Sequence, residues 1–202
     1  KREQWGQPIG RHAAIADKLA RMAANSFAME STVRYVSALV DRDKHADVRL
    51  EAAIAKLWGS ERAWEIVDDT MQIRGGRGYE TADSLHERGE AAEPVERLMR
   101  DSRINTIFEG SSEIMRLFIA REALDPHLKI GAAAVNASLP MKVRARAAMK
   151  AARFYAKWYP MKWLPLDPNT KGQSLHPTLQ GEMDAIARLS RKLARTLFHA
   201  MA

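Results

Sequence analysis

The sequence has 202 residues, of which 46% are apolar, and it carries a formal net charge of +7. This composition is typical of a folded chain and excludes an intrinsically disordered or collagen-like protein. The chain contains no cysteine, which excludes a disulfide framework, a thiol nucleophile and a zinc–thiolate site. No apolar run reaches the roughly 18 residues that a membrane-spanning helix needs.

The charge is divided unevenly along the chain. Residues 1–130 carry 20 basic and 22 acidic side chains, a net charge of −2, whereas residues 131–202 carry 12 basic and 3 acidic, a net charge of +9. This asymmetry predicts two modules, the second of which faces a membrane surface, a nucleotide-bearing ligand or an acidic neighbour. We therefore predict one domain at 1–129 and a basic helical extension at 130–202.

Helical periodicity dominates the sequence. Residues 11–42 contain no proline or glycine, and their apolar residues recur in steps of three and four, as on the inner face of antiparallel helices. The other predicted elements are a helix at 48–73, a surface loop at 80–93, a helix at 94–103, a helix from 111 or 112 to 124 that stops at Asp125-Pro126, a linker at 130–140, a helix at 141–159, a proline-rich turn at 160–177 and a helix from 178. Strand-like alternation is absent, so the predicted fold is all-α: an antiparallel four-helix bundle followed by part of a second helical module.

A glycine-rich segment, Gln72-Ile-Arg-Gly75-Gly76, directly follows the second predicted helix. Its glycines fit a helix C-cap and turn, which is the interpretation that the residues alone favour. The same glycines also leave room for backbone amides and the Gln72 amide to approach a phosphate or adenosine.

Glu109 stands between the apolar pair Ile107-Phe108 and a helix start, Gly110-Ser111-Ser112. A carboxylate at this place can be a cap near a helix N-terminus. It can equally be a general base, whose pKa is raised from about 4.3 toward neutrality by Phe108 and an apolar substrate. Spacing alone supports the two interpretations equally.

Residues 142–163 interleave lysine and arginine with aromatic residues and methionine. Such a stretch is usually the solvated face of a bundle helix, but it also suits peripheral contact with an anionic membrane. Nucleic-acid binding is not predicted, because no recognised binding motif accompanies the charge.

Three ordered motifs resemble the C-terminal helical domain of acyl-CoA dehydrogenases. They are Arg2-Glu-Gln-Trp5-Gly6, then Gln72-Ile-Arg-Gly-Gly-Arg-Gly-Tyr79, then Arg100-Asp-x-Arg103-Ile-x-x-Ile-Phe-Glu109-Gly-Ser-Ser-Glu-Ile-x-Arg116 with Ile119-Ala-Arg121-Glu122. The resemblance covers residues 1–126. Phe108 and the helical segment after Arg121 are similar to the very-long-chain branch of that family.

The resemblance implies an FAD-dependent enzyme of fatty-acid β-oxidation that converts a long-chain acyl-CoA to a trans-2-enoyl-CoA. Glu109 matches the catalytic base that removes the α-proton, and its backbone N–H matches the donor that polarises the thioester carbonyl. The positions that match substrate contacts are Phe108, Gly110 and Arg121. The positions that match FAD contacts are Arg2, Gln4, Trp5, His12, Gln72, Gly75, Gly76, Ser111 and Glu113. No metal site is predicted.

The resemblance also implies partners. Ser111 and Glu113 match contacts to the flavin of their own subunit, and the other FAD positions match contacts to a neighbour's, so we expect a homodimer or a dimer of dimers. An electron-transfer flavoprotein would accept the electrons, in the bacterial cytoplasm or the mitochondrial matrix, with peripheral membrane contact as a further expectation. The chain lacks the family's N-terminal and β domains and is expected to be inactive alone. An acyl-CoA oxidase and a non-catalytic assembly or membrane-surface module of the same fold stay open as alternatives.

Overall fold

The computed structural model describes residues 2–164 and 176–201, and this part of the chain contains eight helices and one very short hairpin. The elements are strands β1 (Glu3–Gln4) and β2 (Gln7–Pro8), a 3-10 turn (Ile9–Arg11), and helices α1 (Ala13–Arg42), α2 (Arg49–Arg74), α3 (Gly76–Tyr79), α4 (Ala82–Glu87), α5 (Val95–Ile104), α6 (Ser112–Val135), α7 (Met141–Met161) and α8 (Pro177–Met201). The all-α fold class is confirmed.

The hairpin before α1 was missed by the sequence analysis. β1 and β2 pair antiparallel, with Glu3 opposite Pro8 and Gln4 opposite Gln7. Trp5 and Gly6 between them both have positive φ, at 50° and 78°, as a two-residue type I′ turn requires. Strands of two residues are too short to show a period of two, so alternation could not reveal them.

The chain divides into two compact units, Lys1–Ala123 and Leu124–Ala202. The boundary predicted between residues 129 and 130 lies a few residues later. In the first unit α1, α2, α5 and the beginning of α6 form the bundle, with α2 in contact with α1 and α5.

Ion pairs between helices show the directions in which the helices run relative to one another. Lys18 near the start of α1 pairs with Asp69 near the end of α2, so the two helices are antiparallel. Glu61 in the middle of α2 pairs with Arg116 on the first turns of α6, and Arg49 at the start of α2 lies 3.4 Å from Glu122 further along α6. α6 is therefore antiparallel to α2 as well. Partly exposed pairs of this kind contribute little stability.

The predicted surface loop at 80–93 is wrong over residues 82–87, which form α4. The Thr81 side chain caps this helix by accepting a hydrogen bond of 3.2 Å from the Ser84 backbone N–H. Leu85 points inward and is fully buried. One buried leucine among acidic and small residues creates no periodic signal, which explains the error.

The predicted stop at Asp125-Pro126 is also wrong, because α6 continues through Pro126 to Val135. Proline cannot donate a backbone hydrogen bond, and within a helix it costs about 3 kcal/mol. The residues that follow include Leu128, Lys129 and three alanines, all good helix formers, and they continue the helix beyond the proline. The predicted linker at 130–140 is therefore helical at 130–135. α6 closes where the Asn136 N–H donates to the Ala132 carbonyl at 3.1 Å.

Aromatic rings join α7 to α8 in the second unit. The Phe198 ring lies 4.9 Å from the Tyr155 ring and 4.8 Å from the Tyr159 ring, measured between centroids. α7 runs to Met161, slightly beyond its predicted end, and α8 begins at Pro177, a favoured first helical position. The rest of the turn predicted at 160–177 lies largely outside the described residues, at 165–175.

Within residues 2–164 and 176–201, no helix combines the length and the apolar character needed to cross a bilayer.

We expect Leu85→Ala to lower the free energy of unfolding by about 2–5 kcal/mol, because the substitution leaves a cavity around a fully buried site. Leu98→Ala is the matched control, since the Leu98 side chain is 48% exposed. Urea denaturation followed by far-ultraviolet circular dichroism measures both. An equal loss in the two variants would show that α4 does not anchor the first unit.

Candidate functional site

Glu109 sits on a strained turn between α5 and α6. Its φ is 50° and that of Gly110 is 92°, so two consecutive residues adopt left-handed conformations. For a residue with a side chain this conformation costs roughly 1–2 kcal/mol. Such strain persists only where the surroundings enforce it, and it concentrates at functional sites.

Backbone hydrogen bonds close the two ends of this turn. The Phe108 N–H donates to the Ile104 carbonyl at 3.1 Å, and the Ser112 N–H donates to the Thr106 carbonyl at 3.0 Å. Among the described residues, the Glu109 backbone N–H has no hydrogen-bond acceptor. A strained peptide with a free donor therefore lies next to the candidate base.

The side chains of Glu109 and Phe108 are both exposed in this chain, Phe108 by 44%. The residues that the structure describes thus do not supply the water exclusion expected around Glu109 from the sequence. A base at this position needs a substrate or another protein segment to desolvate it.

Lys56, on α2, forms hydrogen bonds with the same turn. Its ammonium group donates to the Phe108 carbonyl at 3.2 Å and to the Gly110 carbonyl. These carbonyls lie on either side of Glu109. Sequence reasoning missed Lys56, because an ammonium that binds backbone carbonyls more than 50 residues away leaves no local pattern.

A cavity of about 460 Å³ lies beside the turn, between α2 and the start of α6. Its walls include the predicted residues Ser111 and Glu113 together with Trp64, Arg62 and Ser112. Arg62 Nε and Ser112 Oγ are buried without a hydrogen-bond partner. Buried polar atoms without partners are costly, so this wall is suited to a polar ligand.

The pKa of the exposed Glu113 carboxyl lies below its usual value. The largest cause is a hydrogen bond from the backbone N–H of Glu113 itself, followed by one from the Ser111 hydroxyl. The charges of Arg116 and Arg103 act in the same direction. Glu113 is therefore ionised at neutral pH and suits hydrogen-bond acceptance rather than proton donation.

A second cavity, of about 800 Å³, lies at the far end of α2. Its walls include the predicted residues Arg2 and Gly76, and also Arg74 and Arg77. Arg77 is paired with Glu80 and Glu90 at 3.4 and 2.7 Å. Arg74 Nε is buried without a partner, and the sequence motif pointed to its neighbours but not to Arg74 itself.

Gly75 lies at the C-cap of α2, as the residues alone favoured. Its φ is 62°, and its N–H donates to the Met71 and Gln72 carbonyls at 3.0 and 3.2 Å. A Cβ atom built on Gly75 would lie 3.5 Å from Arg2 Nη1. The glycine turn and the Arg2 guanidinium are thus in contact, while the Gln72 side chain is exposed.

The predicted residues Gln4, Trp5 and His12 form a third group at the hairpin. His12 Nε2 donates to the Gln4 carbonyl at 2.9 Å, and Nδ1 accepts from the Gln7 side-chain amide at 3.0 Å. The Trp5 and His12 rings pack nearly perpendicular to each other, with centroids 5.4 Å apart. His12 is thereby fixed in one tautomer, and Trp5, which is 88% exposed, presents its outer face to solvent.

Arg121 lies apart from these groups. It is exposed on α6, and it is absent from the walls of both cavities in the described part of the chain. Its predicted contact with substrate stays a prediction.

The sequence model of the family described as acyl-CoA dehydrogenase, C-terminal domain, matches residues 1–124. The chain belongs to the acyl-CoA dehydrogenase family. The fold agrees, because a crystal structure of a Mycobacterium smegmatis protein named as an acyl-CoA dehydrogenase superposes with a TM-score of 0.51 at 26% identity. That superposition covers 60% of this chain and 29% of the other.

Two kinds of curated relatives place the chain within the acyl-CoA dehydrogenases. "Probable acyl-CoA dehydrogenase FadE10" of Mycobacterium tuberculosis is 48% identical over the whole chain, which spans 31% of that protein. The mitochondrial "Very long-chain specific acyl-CoA dehydrogenase" of Bos taurus is 44% identical over 59% of this chain and 16% of its own length. The chain thus spans about a third of the length of its mycobacterial relatives.

We expect Ser111→Ala to raise the pKa of Glu113 toward the usual carboxyl value, because the variant removes a hydrogen bond that favours the charged form. Ser111→Thr keeps a hydroxyl and should keep the low pKa. Carboxyl-carbon NMR across an acidic titration measures both. The hydrogen bond stabilises the fold above the usual carboxyl pKa, and this stabilisation is lost as the pH falls through the lowered one. Identical titrations of Ser111→Ala and the unmodified protein would contradict this role.

Proposed function

We propose that this chain supplies the catalytic base and part of the cofactor site of an FAD-dependent enzyme that converts a long-chain acyl-CoA to a trans-2-enoyl-CoA. The observation that carries the proposal is the strained turn of Glu109, with its free backbone N–H and its two flanking carbonyls held by Lys56. The long-chain preference draws on the name of the very-long-chain relatives. The physiological role would be fatty-acid β-oxidation.

Proton removal from the α-carbon of a thioester needs both a base and polarisation of the carbonyl. In this proposal the Glu109 carboxylate takes the α-proton, and the backbone N–H of the same residue donates to the thioester oxygen as negative charge develops there. Phe108, which is exposed, and the partly buried Gly110 would contact the acyl-CoA, and Arg121 would approach it from α6. Substrate and the rest of the protein would exclude water from Glu109.

The residues of both cavities fit parts of FAD. Three buried polar atoms without partners, Arg62 Nε, Ser112 Oγ and Arg74 Nε, line or adjoin these cavities. At the second cavity Arg2 and Arg74 suit a pyrophosphate, because guanidinium groups bind phosphate oxygens in pairs. When bound, FAD accepts the hydride from the β-carbon.

The two cavities share no lining residue among those described. In this proposal, as the family resemblance implies, Ser111 and Glu113 contact the FAD of their own subunit, and Arg2, Gly75 and Gly76 contact the FAD of a neighbour, with Gln4, Trp5, His12 and Gln72 nearby. This arrangement supports a homodimer or a dimer of dimers, in which each FAD site is completed by a neighbour. An electron-transfer flavoprotein would accept the electrons.

We expect Glu109→Gln to abolish reduction of the flavin by a long-chain acyl-CoA, because the amide has nearly the same shape but is not a base. The measurement is an anaerobic titration of the full-length flavoprotein, followed by flavin absorbance. The control is Glu87→Gln, which alters an exposed carboxylate on α4. Its flavin should be reduced as fully as that of the unmodified protein. Undiminished reduction in Glu109→Gln, with flavin bound, would assign the base to another residue.

A second proposal concerns peripheral membrane contact by the second unit. One stripe of α7 combines cations with apolar groups around an open groove of about 500 Å³, and its residues are Lys150, Arg153, Phe154, Lys157, Trp158 and Met161. Nearby, the Arg195 guanidinium stacks on the Trp163 ring at 4.2 Å, and Trp163 is 62% exposed. Basic and aromatic groups on one surface suit the headgroup region of an anionic bilayer.

We expect the protein to cosediment with vesicles containing phosphatidylserine at low ionic strength and to be released by about 0.5 M salt, since exposed charges are screened at that concentration. Lys150→Glu combined with Lys157→Glu should abolish binding. A matched variant, Arg34→Glu combined with Lys44→Glu, reverses two exposed cations of the first unit and should bind normally. Binding that is insensitive to both salt and charge reversal would remove this proposal.

A further inference from the structure

Lys56 is the residue of α2 that contacts the Glu109 turn through hydrogen bonds to its backbone. Its ammonium group donates to the Phe108 carbonyl at 3.2 Å and to the Gly110 carbonyl, and the side chain is half-buried. We propose that Lys56 is a positioning residue, which orients the Glu109 peptide for proton removal from the acyl thioester. This inference rests on the function proposed above for Glu109.

Peptide geometry connects Lys56 to the Glu109 N–H. The carbonyl of Phe108 and the N–H of Glu109 belong to the same planar peptide unit, and in a trans peptide these two groups point in opposite directions. The described part of the chain contains no cis peptide bond. When Lys56 holds the Phe108 carbonyl on one side, the Glu109 N–H must therefore point to the other side, where none of the described residues accepts a hydrogen bond from it.

The second bond fixes the peptide between Gly110 and Ser111. Gly110 has a φ of 92°, and its carbonyl also binds Lys56. The backbone on both sides of the Glu109 Cα is thus tied to one ammonium group. Because α2 is a long helix in the bundle, this group is anchored to a rigid element rather than to another loop.

A lysine suits this role better than a neutral side chain. Its ammonium has three donors and a full charge, so it can bind two carbonyls at once with charge-assisted hydrogen bonds. The left-handed conformation of Glu109 is disfavoured, and these bonds oppose relaxation of the turn. Without them, we expect the base and the N–H donor to sample several orientations.

The test uses the full-length flavoprotein in three variants. Lys56→Met removes both hydrogen bonds, Lys56→Arg keeps a cation that can donate to two acceptors, and Lys18→Met is the matched control. Lys18 is another half-buried lysine of the same bundle, but it pairs with Asp69 instead of the turn. The quantity measured is the rate of anaerobic flavin reduction at saturating long-chain acyl-CoA, with unlabelled and α-deuterated substrate.

We expect Lys56→Met to reduce this rate by about 10- to 100-fold, because small misplacements of a reacting group have effects of that size. The α-deuterium isotope effect should rise, while the affinities for substrate and flavin change by less than about twofold. Lys56→Arg should recover part of the rate. Lys18→Met should leave both the rate and the isotope effect unchanged.

An unchanged rate of flavin reduction in Lys56→Met, or an equal loss of rate in Lys18→Met, would overturn the proposal. Loss of flavin binding in Lys56→Met alone would also overturn it, because it would indicate a structural role. If the unmodified protein binds flavin but a long-chain acyl-CoA does not reduce that flavin, the result would contradict the proposed function instead. In that case, amide hydrogen exchange over residues 105–111 tests the turn itself. Faster exchange in Lys56→Met than in Lys18→Met supports the positioning role, and equal exchange overturns it.

Discussion

The first unit depends on the packing of α2 against α1 and α5. α6 is also tied to α2, by the Glu61–Arg116 ion pair. Ala53 is almost completely buried on this helix, and its small side chain lets neighbours approach closely. α2 also determines the distance between the two cavities, because it borders the first along its length and ends at Gly75 beside the second.

Long elements were predictable because periodic apolar residues repeat over many turns. The α1 and α2 helices were predicted to within a few residues, and the Gly75 C-cap was identified from local chemistry alone. The errors lie where tertiary context outweighs local preference. Leu85 stabilises α4 because it is buried, but a single buried leucine produces no helical periodicity in the sequence. α6 continues through Pro126, although a single proline normally marks a helix end.

The candidate site, like the fold, could be predicted from the sequence only in part. Glu109, Ser111 and Glu113 lie together on a short stretch of sequence, so the motif indicated their proximity. The arrangement around them depends on distant residues: Lys56 reaches the turn across the bundle, and Arg62 contributes a buried nitrogen from α2. Contacts of this kind require the packed helices and cannot be inferred from spacing.

A single copy of the first unit exposes much apolar surface. Phe27 is 74% exposed, and Leu117 is 68% exposed. Folded monomers seldom leave large contiguous apolar patches in water. This exposure agrees with an assembly in which further protein surface covers the bundle, as the proposed dimer would provide.

The separation of the two cavities has a genetic consequence within that dimer. If each FAD site is shared as proposed, a copy altered at Arg2 would damage the site of its neighbour, whereas a copy altered at Glu109 would damage its own site. When one copy carries the first change and its partner carries the second, both defects would fall on the same site and the other site would be intact. Two inactive alleles affecting different groups of residues would therefore complement each other in mixed dimers, while two alleles within one group would not.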